Sequence, residues 1–200
     1  MPKKIDHKAR KQEIAKATWK VIMEGGVEAA SVRNIAKEAN LSLGSLRHYF
    51  TTQDELLNYA MELVKSRCKD RIMEVIRQPL PPKELAKKVL LELLPIDSET
   101  MAEMQVWFVF TLHFKYKQGE SFRQEDGIRE IVQRLLVLLS DNEALSRGKD
   151  INKETEKLYA LIDGLAIHRL LNPEQFSGEY TAEILTEYVD DLCQEKERGD

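Results

Sequence analysis

Residues 42–50, Ser-Leu-Gly-Ser-Leu-Arg-His-Tyr-Phe, gather the side chains that read nucleic acid into one short stretch. Gly44 and Ser45 are small and permit close approach to a duplex. Arg47 can form a bidentate pair with guanine or reach a phosphate, and His48 and Tyr49 can reach backbone oxygens. Ser31, Arg33, Ser42 and Leu43 complete the candidate DNA-binding set. Leu46 and Phe50, four apart, instead suit anchoring to a small core. For Arg47, His48 and Tyr49, an ordinary exposed polar face explains the composition almost as well as DNA contact does.

Other chemistries find no support. There is no nucleophile–base spacing and no phosphate-binding glycine loop, so no catalytic residue is assigned. His7, His48, His113 and His168 are scattered, and Cys68 and Cys193 sit in no ligand or redox spacing. We therefore expect no metal site and no cofactor, with both cysteines as free thiols.

The elements that must position residues 42–50 read as helices. From Lys8 to Glu24, Ile14, Ala17, Val21 and Ile22 recur with a helical period, and Gly25-Gly26 is expected to end that helix at positive φ. Ser31 can cap a second helix with Val32, Ile35, Ala36 and Ala39 as its buried stripe. Asn40 follows at a left-handed turn position. Ser42 can cap a third helix running from Leu43 to Phe50. A helix, a short turn and a second short helix make the helix-turn-helix layout, in which the second helix enters the major groove. Thr51-Thr52 with Asp54 and Glu55 then suits the start of a fourth helix, expected over 53–77 until Pro79, Pro81 and Pro82 break it.

Charge supports that placement. The 200 residues carry a net charge of −4, which alone argues against nucleic acid. Residues 1–50, however, hold ten basic and five acidic side chains, against 20 and 29 in the remainder. A basic head on an acidic body suggests a localised polyanion site, with a chance skew on a solvated surface as the alternative.

The run "IAKATWKVIMEGGVEAASVRNIAKEANLSLGSLRHYFTTQDELL", residues 14–57, resembles the DNA-binding head of the TetR family. The resemblance rests on Ile14, Ala17, Gly26, Ser31-Val32-Arg33, Ile35-Ala36, Leu41-Ser42, Gly44, Phe50 and Leu56-Leu57. The family commonly has Gly where this chain has Asn40, and Lys at the start of the fourth helix where it has Gln53. Losing that charge should lower phosphate affinity. The "RHYF" ending resembles the branch that includes the BetI-type repressors.

The resemblance implies a C-terminal body for ligand binding and dimerisation. Further helices are expected over 83–94, 98–117, 121–140, 152–171 and 179–196, about nine in all. The fold class is thus all-α, with a helix-turn-helix head at 1–52 (motif about 31–50) and a ligand and dimer domain at 53–200. Val106 to Phe110 are consecutively apolar, so their helix should lie centrally in the bundle. Trp107, Phe110, His113 and Phe114, with Phe108, Gln105 and Tyr116 nearby, could line a small-molecule pocket or simply pack a core. Gly164 costs a helix about 1 kcal/mol relative to Ala, which suggests close approach of another helix. With Leu161, Leu165 and His168, and with Ile184 and Tyr188 near the C-terminus, it forms the candidate dimer contact. The same leucines could instead face only their own domain.

The expected protein is therefore a homodimeric transcriptional regulator bound to a pseudo-palindromic double-stranded operator. The reading is of a repressor released by a small-molecule effector. The alternative is a regulator without one, controlled by a partner or acting as an activator. No membrane-length apolar run and no signal-peptide pattern occur, so the chain is expected to be cytoplasmic.

Overall fold

The computed structural model describes residues 6–118 and 127–193, and the side chains of Val27, His113, Phe114 and residues 116–118 lie outside that description. Among the described residues there are nine helices and no named strand. These are α1 (His7–Ala29), α2 (Val32–Glu38), α3 (Leu43–Arg47), α4 (Gln53–Ile76), α5 (Pro82–Leu91), α6 (Ser98–Gln118), α7 (Gly127–Asp141), α8 (Ile151–Leu171) and α9 (Gly178–Leu192). The all-helical class is as expected.

Some boundaries differ from the sequence reading: α5 ends at Leu91 rather than at 94, and the expected start of a helix at 121 lies outside the described residues. Gly26 takes φ 73° and ψ 179°, outside the helical range, so the regular helix ends there as expected, and a short helical turn to Ala29 follows the kink. The recognition element is shorter than expected: α3 ends at Arg47 rather than Phe50. Its last turn tightens, with both Tyr49 N–H and Phe50 N–H donating to the Leu46 carbonyl (2.9 and 3.1 Å). That tightening turns Phe50 into the core, where it is 2 % exposed.

The chain divides into two compact units, residues 1–67 with 102–123 and residues 68–101 with 124–200. In the first unit, Ile14, Val21, Ile22, Ile35, Leu46, Phe50, Leu56 and Leu57 form one buried cluster that welds α1 to the helix-turn-helix. A second cluster joins Ala15 and Trp19 of α1 to Ala60, Met61 and Val64 of α4 and Val106 of α6. Fully burying one such aliphatic side chain stabilises the fold by about 1.5–3 kcal/mol.

In the second unit α7 packs on α8, and α5 and α9 complete the core. Pro82 starts α5, where a missing N–H costs nothing. Asp150 and Ser177 cap α8 and α9 through side-chain oxygens that accept first-turn N–H groups. Arg169 organises the connection between those two helices: its guanidinium donates to the carbonyls of Pro173 (2.9 Å) and Phe176 (3.0 Å). Both cysteines are free thiols. No helix among the described residues is long and apolar enough to cross a membrane.

Candidate nucleic-acid interface

Local chemistry positions the two short helices. The Ser31 hydroxyl accepts the Asn34 N–H (3.2 Å), and the Asn34 amide donates to the Ala29 carbonyl (2.9 Å). Asn40 stands in the left-handed region at φ 53°, which swings the chain between the helices. There Leu41 N–H donates to the Ala36 carbonyl (2.8 Å). The Ser42 hydroxyl accepts the Ser45 N–H (3.0 Å) and lies 2.8 Å from the Ser45 hydroxyl. Ser31 and Ser42 are thus engaged as helix caps. The start of α4 is held by a reciprocal pair: Thr52 Oγ1 accepts the Glu55 N–H and the Glu55 carboxylate accepts the Thr51 N–H.

That scaffold places the remaining candidates at the surface of the first unit. Arg33, Gly44, Arg47 and His48 are exposed, and Leu43, Ser45 and Tyr49 are half-buried. Among the described residues, Arg33, Lys37 and Arg47 have no carboxylate within ion-pair distance. Elsewhere on the head the basic groups divide: Lys8 and Lys16 of α1 are exposed and have no carboxylate within ion-pair distance among the described residues, whereas two others are paired. Arg10 pairs with Glu13, and Lys20 pairs with Glu38 at 2.8 Å. The hydrogen bond and charge of Glu38 raise the Lys20 ammonium above its ordinary pKa. Unpaired cationic charge thus lies on α2 and α3 and at Lys8 and Lys16 of α1.

Gln53 stands where the TetR family commonly has a lysine. Its side-chain amide instead donates to the Ala30 carbonyl (3.0 Å), tying the start of α4 to the chain between α1 and α2. His7 was not anticipated at all. Its ring lies 4.7 Å from the Tyr49 ring, and one turn on, the Lys11 ammonium lies 4.8 Å from the Phe50 ring.

The helix expected at the centre of a bundle is half-buried along much of its length. Among its described side chains only Thr100, Glu103 and Val106 are buried, and Leu112 is 43 % exposed. The physical reason is that one face of α6 lies along α1 and α4. There Trp107 and Phe110 pack against the cluster around Ala15 and Trp19. His113 and Phe114, also expected at a pocket, have side chains outside the described set. The buried Glu103 carboxylate pairs with Arg67 of α4 at 3.1 Å, and that guanidinium lies over the Trp19 ring of α1.

The expected dimer residues lie on α8 and α9. Leu165 is buried in the chain's own core at 4 % exposure. Leu161, Gly164, Ile184 and Tyr188 are half-buried, while His168 is exposed and stacks on Phe176 at 5.0 Å. Among the described residues, a Cβ at Gly164 would meet nothing within 4 Å, so this position shows no close helix contact within the chain. Burial raises the Tyr188 phenol above its ordinary pKa, and the neighbouring Glu154 carboxylate adds to that rise.

Residues 14–60 match the model of the bacterial regulatory proteins of the tetR family, and residues 82–194 match that of the BetI-type transcriptional repressor C-terminal domain. The chain belongs to the TetR family. This TetR-family regulator is 46 % identical over 198 residues to the HTH-type transcriptional regulator PksA of Bacillus subtilis, covering 99 % of this chain and 97 % of that one. It is 28 % identical over 202 residues to the regulator BetI of Proteus mirabilis, covering 98 % and 100 %. Among solved structures, a Saccharomonospora viridis regulator described as in complex with choline superposes with a TM-score of 0.79. It covers 94 % of this chain and 99 % of its own at 19 % identity, a likeness of fold.

Proposed function

We propose that this TetR-family regulator is a homodimeric repressor that a small-molecule effector releases from a pseudo-palindromic operator. The observation that carries the DNA part is the exposed, unpaired positive charge of Arg33, Lys37 and Arg47 on the two short helices of the helix-turn-helix. In this reading Arg47, with the small front of α3 at Gly44 and Ser45, faces base edges. Arg33, His48 and Tyr49 hold phosphates, and Ser31, Ser42 and Leu43 set the backbone that presents them. Residues 1–52 form the DNA-reading part and 53–200 the effector and dimer part, although packing groups 53–67 and 102–123 with the former.

The dimer reading is supported by the open space at Gly164 and by the apolar surface beside it. Ile167, Leu171 and Tyr180 are 38 %, 65 % and 48 % exposed, and a second copy would cover such a face. Two recognition elements about 34–36 Å apart would then span successive major grooves. The effector reading places the ligand along α6, near Trp107, Phe110, His113 and Phe114. Packing of Trp107 and Phe110 on α1 and α4 would carry a ligand-induced shift of α6 to the head. The choline complex of a protein with this fold supports a small organic effector.

The test is binding of the purified protein to labelled duplexes across a salt series. Sequence-specific binding whose affinity falls steeply with salt is expected. Weak, sequence-indifferent binding to every fragment of a genomic selection would overturn the reading. Equal operator affinity with and without a bound effector would remove the switch alone, because linkage requires each ligand to weaken the other.

A further inference from the structure

The first turns of α1 face the end of α3, and the contact is aromatic. Asp6 caps α1: its carboxylate accepts the N–H groups of Lys8 (3.0 Å) and Ala9 (3.1 Å), so the helix is regular from its first residue. His7, Lys11 and Ile14 then recur at helical spacing on one face. Ile14 enters the core cluster with Leu46 and Phe50. Lys11 lies over Phe50 and also within 5.6 Å of the Tyr59 ring. His7 completes the series, its ring tilted 43° to that of Tyr49.

Tyr49 needs such a neighbour. It lies beyond the last residue of α3, in the tight turn, where its ring packs half-buried against the edge of the core cluster and leaves its other side open to a neighbour. Leu46 and Phe50 on either side are anchored in the core, whereas Tyr49 is half-buried. An aromatic ring against one of its sides restricts its rotamers at a small cost in surface.

We propose that His7 is a positioning residue for operator recognition, holding the Tyr49 ring so that its hydroxyl points at the DNA backbone. The proposal rests on the reading of Tyr49 as an operator contact. His7 acts through Tyr49 and not as a phosphate ligand.

The experiment uses the full chain and a fluorescein-labelled duplex carrying the sequence that the wild-type protein enriches from a randomised library. Affinities are measured across a salt series for His7→Ala, His7→Phe, Tyr49→Ala and the double variant His7→Ala/Tyr49→Ala. His7→Ala is expected to weaken binding about three- to tenfold, the size of one aromatic pair. His7→Phe should restore affinity to within about twofold of wild type, because the ring contact and not the imidazole nitrogens does the positioning. The His7→Ala change should add nothing in the Tyr49→Ala background. Plots of log affinity against log salt should run parallel for wild type and His7→Ala. A slope shallower by about one would mean that His7 itself neutralises a phosphate and would overturn the proposal. Undiminished binding by His7→Ala, or an equal loss with and without Tyr49, would also overturn it. If the library yields no enriched sequence for the wild-type chain, the operator reading falls and takes the proposal with it. Wild-type binding with indifferent variants removes the proposal alone.

Discussion

The Arg67 guanidinium lies 3.1 Å from the buried Glu103 carboxylate and, at 5.5 Å, over the ring of Trp19. Three helices of the first unit meet there, α4 supplying the cation, α6 the acid and α1 the indole. The indole nitrogen in turn donates to the Ala60 carbonyl of α4 at 3.0 Å.

Removing the cation should cost more than removing the acid, because Glu103 is the more deeply buried partner. Arg67→Met leaves a carboxylate without its cation in an apolar cluster and should destabilise the chain by about 2–4 kcal/mol. Glu103→Gln should cost less, since Arg67 keeps access to water. Urea unfolding of the two variants gives the order, and a larger loss for Glu103→Gln would contradict it.

At Gly178 there is no room for a side chain. A Cβ there would stand 1.8 Å from the Ile96 carbonyl oxygen, a backbone atom that cannot rotate away. Gly178→Ala should therefore destabilise the chain by roughly 2 kcal/mol or more, despite the better helix propensity of alanine. Thermal unfolding at matched protein concentration reads the effect.

Gly164 predicts the opposite balance. With no described atom within 4 Å of a Cβ there, Gly164→Leu should leave the folded chain intact and should weaken the dimer. Sedimentation velocity should then show a shift towards monomer with an unchanged circular dichroism spectrum. A dimer of wild-type strength in Gly164→Leu would move the interface away from this face.

Acid stability should depend on Asp190. Burial pushes its carboxyl up, but the hydrogen bonds and charges of Lys83 and Lys87, each 2.6 Å away, outweigh that and hold it below its ordinary value of 3.8. A carboxyl with a depressed folded pKa contributes stability that is present above its unfolded pKa and lost as pH falls through the folded one. The wild type should therefore lose this contribution below about pH 4, while Asp190→Asn, lacking it, should show a flatter profile there. At the alkaline end, the Asp190 hydrogen bond raises Lys83, so its contribution should persist up to the ordinary lysine pKa of 10.5 and be lost above it. Urea midpoints across the two pH ranges test both limbs.

Gln53→Lys should exchange a tie for a charge. The bond to the Ala30 carbonyl is lost, at about 1 kcal/mol of stability. Binding to the selected duplex should tighten, and its salt slope should steepen by about one phosphate. An unchanged slope would mean that this position does not face the DNA backbone.

What the sequence made legible was what neighbouring residues decide. Ser31 and Ser42 cap the helices that follow them and Asn40 adopts positive φ, each through contacts within a few positions, and the i,i+4 spacing of Leu46 and Phe50 marked the face that enters the core. Gly26 was read correctly, its positive φ ending the regular helix; the short turn that follows the kink was not legible, because it depends on what that turn packs against. The ion pairs of Arg67 with Glu103 and of Lys83 and Lys87 with Asp190, and the ring contact of His7 with Tyr49, join residues far apart in the chain. No periodicity announces such partners. Trp107 and Phe110 were recognised as important, yet composition alone could not say that they face α1 and α4.

The first compact unit is assembled from two stretches, 1–67 and 102–123, with a stretch of the other unit threaded between them. The head is therefore not a module that one cut can release. A chimaera that joins residues 1–60 to a foreign body would inherit the helix-turn-helix without Val106, Trp107 and Phe110, which complete its second core cluster. During synthesis the same order of segments delays completion, since the ribosome must emit α4, α5 and most of α6 before α1 gains its last packing partner. Transplanting the specificity of this regulator would require α6 to travel with the head.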